Sequence, residues 1–141
     1  MKCMKYTDLP LAILVNVNTA SAAEIMTACL QDHKRAVVIG ERTFGKGVVQ
    51  TLIPFGGKEA LRVTTSKYYT PARRVIHGKG IDPDIPVPLS AARRAAVSVL
   101  MNTHPGATAD PVPGGVRDIQ LERALEVLKA VQMFRSTHMG R

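Results

Sequence analysis

Two short apolar runs flanking a helix-length segment constrain this chain more than any other feature. Residues 9–15 (Leu-Pro-Leu-Ala-Ile-Leu-Val) and 36–40 (Ala-Val-Val-Ile-Gly) are nearly continuous in apolar character, as strands covered on both faces are. Residues 22–34 between them have the length of a helix. A β-α-β unit follows, which pairs two parallel strands through a crossover and needs helices packed on the sheet. The fold class is therefore α/β. Residues 48–54 again have strand composition, and Leu61, Val63 and Thr65 alternate with Arg62, Thr64 and Ser66 at the period of a half-exposed strand. Gly56-Gly57 between these segments predicts a β-hairpin. Residues 78–88, rich in Gly, Pro and Asp, read as an ordered surface loop with a short extended piece at 85–87.

The remainder divides by composition. Residues 89–101 are alanine-rich and predicted helical, and residues 102–117 concentrate Pro, Gly, Thr and Ala as a linker does. Residues 118–141 form a C-terminal unit in which Leu121, Leu125 and Leu128 recur at helical spacing, with Asp118 near the N-terminus of an amphipathic helix over 118–134. The first 101 residues are the expected core, and 141 residues suffice for one domain. No apolar run approaches the roughly 20 residues that span a bilayer, and no signal-peptide pattern follows the N-terminal lysines. The net charge of +8 is dispersed in pairs such as Lys34-Arg35 and Arg73-Arg74, without interleaved aromatics. It reads as a solvated surface with no specific nucleic-acid partner. The two cysteines, Cys3 and Cys29, set no disulfide framework, and the four histidines lack metal-ligand spacing, so no metal or cofactor is implied.

Two constellations could carry chemistry. Asn16 to Glu24 joins the first strand to the helix, where open α/β folds place reactive groups. Ser21-x-x-Glu24 is by itself a capping box, which satisfies helix amides and needs no catalytic role. The second constellation is Gly40-Glu41-Arg42-Thr43-Phe44-Gly45-Lys46-Gly47. It matches most of a phosphate-binding loop but fails at Gly47, where Ser or Thr is needed, and strand composition follows in place of a helix. Gly45 and Gly47 let the backbone turn sharply around Lys46, and a lysine enclosed away from carboxylates can serve as a general base. A lone lysine is otherwise a solvated charge. A thiol pairing of Cys29 with His77 is the remaining alternative, disfavoured because mid-helix cysteines are packed and inert.

These segments occur in an ordered series. Asn18-Thr19-Ala20-Ser21-Ala22-Ala23-Glu24, Thr43-Phe44-Gly45-Lys46-Gly47, Gln50-Thr51, Tyr68-Tyr69-Thr70-Pro71 and Gly78-Lys79-Gly80-Ile81-Asp82-Pro83-Asp84 together resemble the C-terminal processing peptidases, also called tail-specific proteases, over residues 9–87. The resemblance implies a ClpP/crotonase-like protease core with an added hairpin and a C-terminal helix. It implies Ser21 as nucleophile, Lys46 as base 25 residues on, Gln50 orienting the lysine, and the Ala22 amide in the oxyanion hole. It also implies cleavage of polypeptides near their C-termini, through an acyl-enzyme, in the periplasm or cell envelope. Family sequences often carry serine where this chain has Ala23, a position that is not the nucleophile. The family's second oxyanion donor and its substrate-capturing PDZ-like domain lie upstream of this pattern, and the residues before Leu9 carry neither. A second expectation follows: a catalytically incompetent fragment acting at most as an interaction module, completed by an upstream segment or by a second copy of the chain.

Overall fold

The computed structural model describes residues 9–103 and 117–139. In chain order these form β1 (Ala12–Val15), α1 (Ala22–Asp32), β2 (Val37–Gly40), β3 (Val48–Pro54), β4 (Ala60–Lys67), β5 (Ile85–Pro86), α2 (Ala91–Thr103) and α3 (Ile119–Met139). The linker predicted over 102–117 lies almost wholly outside the described residues, as do Cys3 and His104.

The β-α-β unit forms, but the first apolar run is not covered on both faces: only Val15 of β1 is buried, and Leu9, Leu11 and Leu14 are exposed. β1 and β2 pair in parallel from Ala12↔Val37 to Val15↔Gly40, and β5 pairs in parallel on the other side of β2, giving the order β1-β2-β5. The central strand is the most buried, with Val38 and Ile39 fully enclosed. α1 packs on β2, and its Ala28 meets Ile76 and Ile81 of a later loop in the core, with Ile25 alongside. β1 starts three residues later than predicted, after Pro10, which has no N–H to give to a ladder. α1 ends two residues earlier than predicted because Lys34 takes a left-handed conformation, φ 54°. The amides of Lys34 and Arg35 then close on the carbonyls of Gln31 and Leu30 at 3.0 and 2.9 Å. That is the glycine-type helix stop, reached here by a lysine at some strain.

The hairpin also forms, antiparallel from Val48↔Lys67 to Pro54↔Ala60, with a bulge between Val49 and Gln50. Its half-exposed reading does not hold. Leu52, Ile53, Phe55 and Leu61 are all exposed, because among the described elements β3 and β4 pack on each other and no helix layer covers them.

α3 docks on β1 and β2, and Ala124 is buried. The Asp118 carboxylate caps it, accepting the Gln120 and Leu121 amides at 3.0 Å each. The helix runs five residues past the predicted end at 134. Gln120 Nε2 donates to the Val87 carbonyl at 2.8 Å, which ties the helix start to the end of β5.

Two carboxylates make the fold acid-sensitive. Glu41 accepts from Arg94 at 2.8 Å and from the Leu89 amide at 3.2 Å, pinning α2 to the end of β2, and the Arg94 hydrogen bond holds its carboxyl below the usual range. Burial pushes the Asp32 carboxyl up, but hydrogen bonds from Thr70, the Ala72 amide and Arg74 together outweigh it and hold Asp32 low. A carboxyl depressed in the folded state stabilises above its ordinary value, and that stability is lost as pH falls through the depressed one. The melting temperature should therefore be flat above about pH 5 and fall below about pH 4. Glu41→Gln should flatten part of that fall, and an unchanged acid limb in Glu41→Gln would show that this pair does not set it.

Candidate active site

The candidate residues sit on the two segments that leave the C-terminal ends of β1 and β2, the crevice where α/β sheets bind ligands. After Val15 the chain bonds to itself. Thr19 Oγ1 accepts the Asn16 amide at 3.0 Å, the Asn16 side chain accepts the Asn18 amide at 2.9 Å, and the Thr19 amide returns to the Asn16 carbonyl. This loop delivers Ser21 to the mouth of α1 at φ 58°, ψ −122°. That conformation costs a residue with a side chain about 1–3 kcal/mol. It makes a sharp strand-to-helix turn at Ser21. Ser21 is exposed. Ala22 follows as the first helical residue, so its amide has no intrahelical acceptor and lies at the positive end of the helix dipole.

The second segment, 41–47, is held flat against residues 76–80. A Cβ on Gly45, where φ is +92°, would sit 2.9 Å from the Gly80 nitrogen, and one on Gly47 would sit 2.8 Å from the His77 nitrogen. Only glycine permits this approach on either side of Lys46. The Gly78 amide donates to the Gly45 carbonyl and the Tyr68 amide to the Gly47 carbonyl, both at 2.9 Å. β3 begins directly after the loop, so the helix that a phosphate-binding loop needs after its lysine is a strand here, and that alternative has no structural basis.

Glu24 joins the two segments. Its carboxylate is fully buried and accepts four hydrogen bonds. Oε2 takes the amides of Ser21 at 3.0 Å and Lys46 at 2.8 Å, and Oε1 takes the Thr43 hydroxyl at 2.5 Å and the Gly45 amide at 2.6 Å. Thr43 Oγ1 in turn accepts the Ile81 amide at 2.7 Å. A buried carboxylate is tolerated only when its acceptor sites are filled, and here they are. The capping-box spacing found the Ser21 half of this network. The Thr43, Gly45 and Lys46 half carries no local signal, because its donors are 19 to 22 residues away. Further struts hold the loop over 70–84 against α1 and β2: Arg74 to Asp32 and Gln31 Nε2 to the Asp82 carbonyl at 2.9 Å on α1, and the Val38 amide of β2 to the Asp84 carboxylate at 2.8 Å.

The four residues singled out from the sequence come together. Ser21, Ala22, Lys46 and Gln50 line one open cavity of about 510 Å³. The bulge at Val49/Gln50 adjusts the direction of Gln50, which an uninterrupted strand would set by alternation alone. Lys46 differs from expectation in one respect: its flanking glycines are enclosed, while the lysine itself is exposed. It makes no ion pair among the described residues, since Glu24 bonds its backbone and not its amine. Cys29 is half-buried within α1 and does not line the cavity.

The family model described as Peptidase family S41 matches residues 3–87. Among curated relatives, a carboxy-terminal-processing protease of Bartonella bacilliformis is 55% identical over 80 residues, which are 57% of this chain and 18% of that protein. A carboxyl-terminal-processing protease of Synechocystis is 42% identical over 110 residues, 78% of this chain and 26% of that protein. The chain thus spans about a fifth to a quarter of the length of these relatives. Among solved structures, a photosystem II D1 C-terminal processing protease superposes with a TM-score of 0.51 at 44% identity, covering 55% of this chain and 20% of that one.

Proposed function

The chain belongs to peptidase family S41, and from that premise we propose that it carries the Ser-Lys dyad of a serine endopeptidase that cleaves polypeptides near their C-termini. The observation that carries this reading is the Glu24 carboxylate, which bonds the amides of both Ser21 and Lys46 and so holds the two residues at one cavity. Neutral Lys46 takes the Ser21 proton as the oxygen attacks the scissile carbonyl. The tetrahedral oxyanion is held by the Ala22 amide at the start of α1. As the intermediate collapses, the leaving amine takes the proton from Lys46; Lys46, neutral again, then takes a proton from water as that water attacks the acyl-serine, and returns it to the Ser21 oxygen as the ester bond breaks. Gln50, four residues beyond the lysine on β3, orients it. The ClpP/crotonase-like form of the core and a periplasmic or cell-envelope setting belong to the same reading. The form of the core is supported by the parallel β1-β2-β5 sheet with a helix mouth at the end of β1, and the setting by family membership alone.

A fluorophosphonate probe tests it on the purified chain. The intact chain should label at Ser21, located by peptide mapping, and Ser21→Ala should not label. Failure of the intact chain to label, or equal labelling after the substitution, would remove the dyad and leave an interaction module.

A further inference from the structure

The cavity that Ser21 and Lys46 line is also lined by Arg62, to which the dyad chemistry gives no task. Arg62 lies on β4 opposite Leu52 in the antiparallel register, and Gln50, two residues before Leu52, shares its face of the hairpin. Arg62 is therefore a diagonal neighbour of Gln50, about 7–8 Å away along the sheet face, within reach of a long side chain. Gln50, Leu52 and Arg62 all line the cavity. Among the described residues Arg62 makes no ion pair, although the chain pairs Arg42, Arg74 and Arg94 with carboxylates elsewhere. The other lining residues include Ile25, Val48 and Leu52, and none is acidic. Glu24, the nearest carboxylate in sequence to Ser21, is fully buried and committed to four donors.

A polypeptide laid beside the dyad thus meets apolar side chains at Ile25, Val48 and Leu52 and, at Arg62, a fork of donors whose geometry matches a carboxylate. We propose that Arg62 is a specificity residue of this groove, selecting substrates that place a carboxylate beside the scissile bond. The carboxylate is that of an Asp or Glu side chain or of the peptide's own C-terminus. The proposal rests on the peptidase reading for its substrate class, but the recognition is a binding property that can be measured without turnover.

The test uses the full chain carrying Ser21→Ala, so that no peptide is cleaved, and fluorescent alanine-based hexapeptides followed by anisotropy. One arm moves a single Asp along an amidated peptide against its Asn counterpart. The other compares a free with an amidated C-terminus on a neutral peptide. One arm should show about tenfold tighter binding for the carboxylate form, and which arm does so identifies the source of the carboxylate. Arg62→Gln should abolish the preference and Arg62→Lys should keep part of it. Arg93→Gln, an equal charge change on α2 away from the cavity lining, should retain all of it. The last comparison separates local recognition from the overall charge of +8. Absence of binding, equal affinity across both arms, or a preference that survives Arg62→Gln would overturn the proposal. Probe labelling of Ser21 without such a preference would sink this inference alone. A preference in a chain that never labels would sink the peptidase reading and leave a carboxylate-recognising groove.

Discussion

Lys46→Met lowers the rate of fluorophosphonate labelling at Ser21 by about 10²–10⁴-fold, the range a positioned general base contributes. The unassisted serine hydroxyl is a weak nucleophile, and the cavity lining supplies no histidine or carboxylate to replace the amine. Lys46→Arg separates proton transfer from electrostatics, because a guanidinium keeps the positive charge but does not give up its proton at neutral pH. It should label as slowly as Lys46→Met. Both variants should melt with the unsubstituted chain, since the Lys46 side chain is exposed and makes no ion pair among the described residues. Labelling of either variant at the original rate would exclude Lys46 as the base.

Glu24→Ala acts on both stability and labelling. It strips the acceptor from the Thr43 hydroxyl and the Gly45 amide, both buried, and from the amides of Ser21 and Lys46. A buried donor left without an acceptor costs about 1–3 kcal/mol, and water entering the vacated space recovers part of the sum, so a loss of about 3–5 kcal/mol is expected in denaturant unfolding. Glu24→Gln preserves the volume but turns one acceptor oxygen into a donor facing other donors, and should fall between the two. Labelling should drop in both variants, because the amides that position Ser21 and Lys46 are no longer fixed to one group. A Glu24→Gln chain that labels at the original rate, with an unchanged unfolding midpoint, would show that the clamp organises neither.

The contrast between these residues shows where sequence reading reaches its end. Ser21-x-x-Glu24 announces a helix start because both partners lie within one turn, and the structure keeps the Glu24 arm of that box. The same carboxylate's bonds to Thr43, Gly45 and Lys46 could not be read, since no periodicity or spacing rule spans 19 to 22 residues of intervening chain. Gly45 and Gly47 were readable as sharp-turn residues. That they let 43–47 lie against 76–80, and so leave Lys46 outward, depends on what the other loop presents. The hairpin was equally visible, yet the alternation in β4 suggested a covered face that no described element supplies.

By itself the sequence determined the elements and their order. Apolar continuity at 9–15 and 36–40 made two parallel strands with a helix between them, and Gly56-Gly57 made a hairpin, although of the two strands only β2 is largely buried. These are preferences of neighbouring residues for backbone geometry and for burial, and they act within a few turns of chain. Only the tertiary structure decided that Ser21, Ala22, Lys46, Gln50 and Arg62 open onto one cavity. That meeting depends on β1 and β2 ending side by side and on one desolvated carboxylate whose acceptor sites had to be filled from two distant segments.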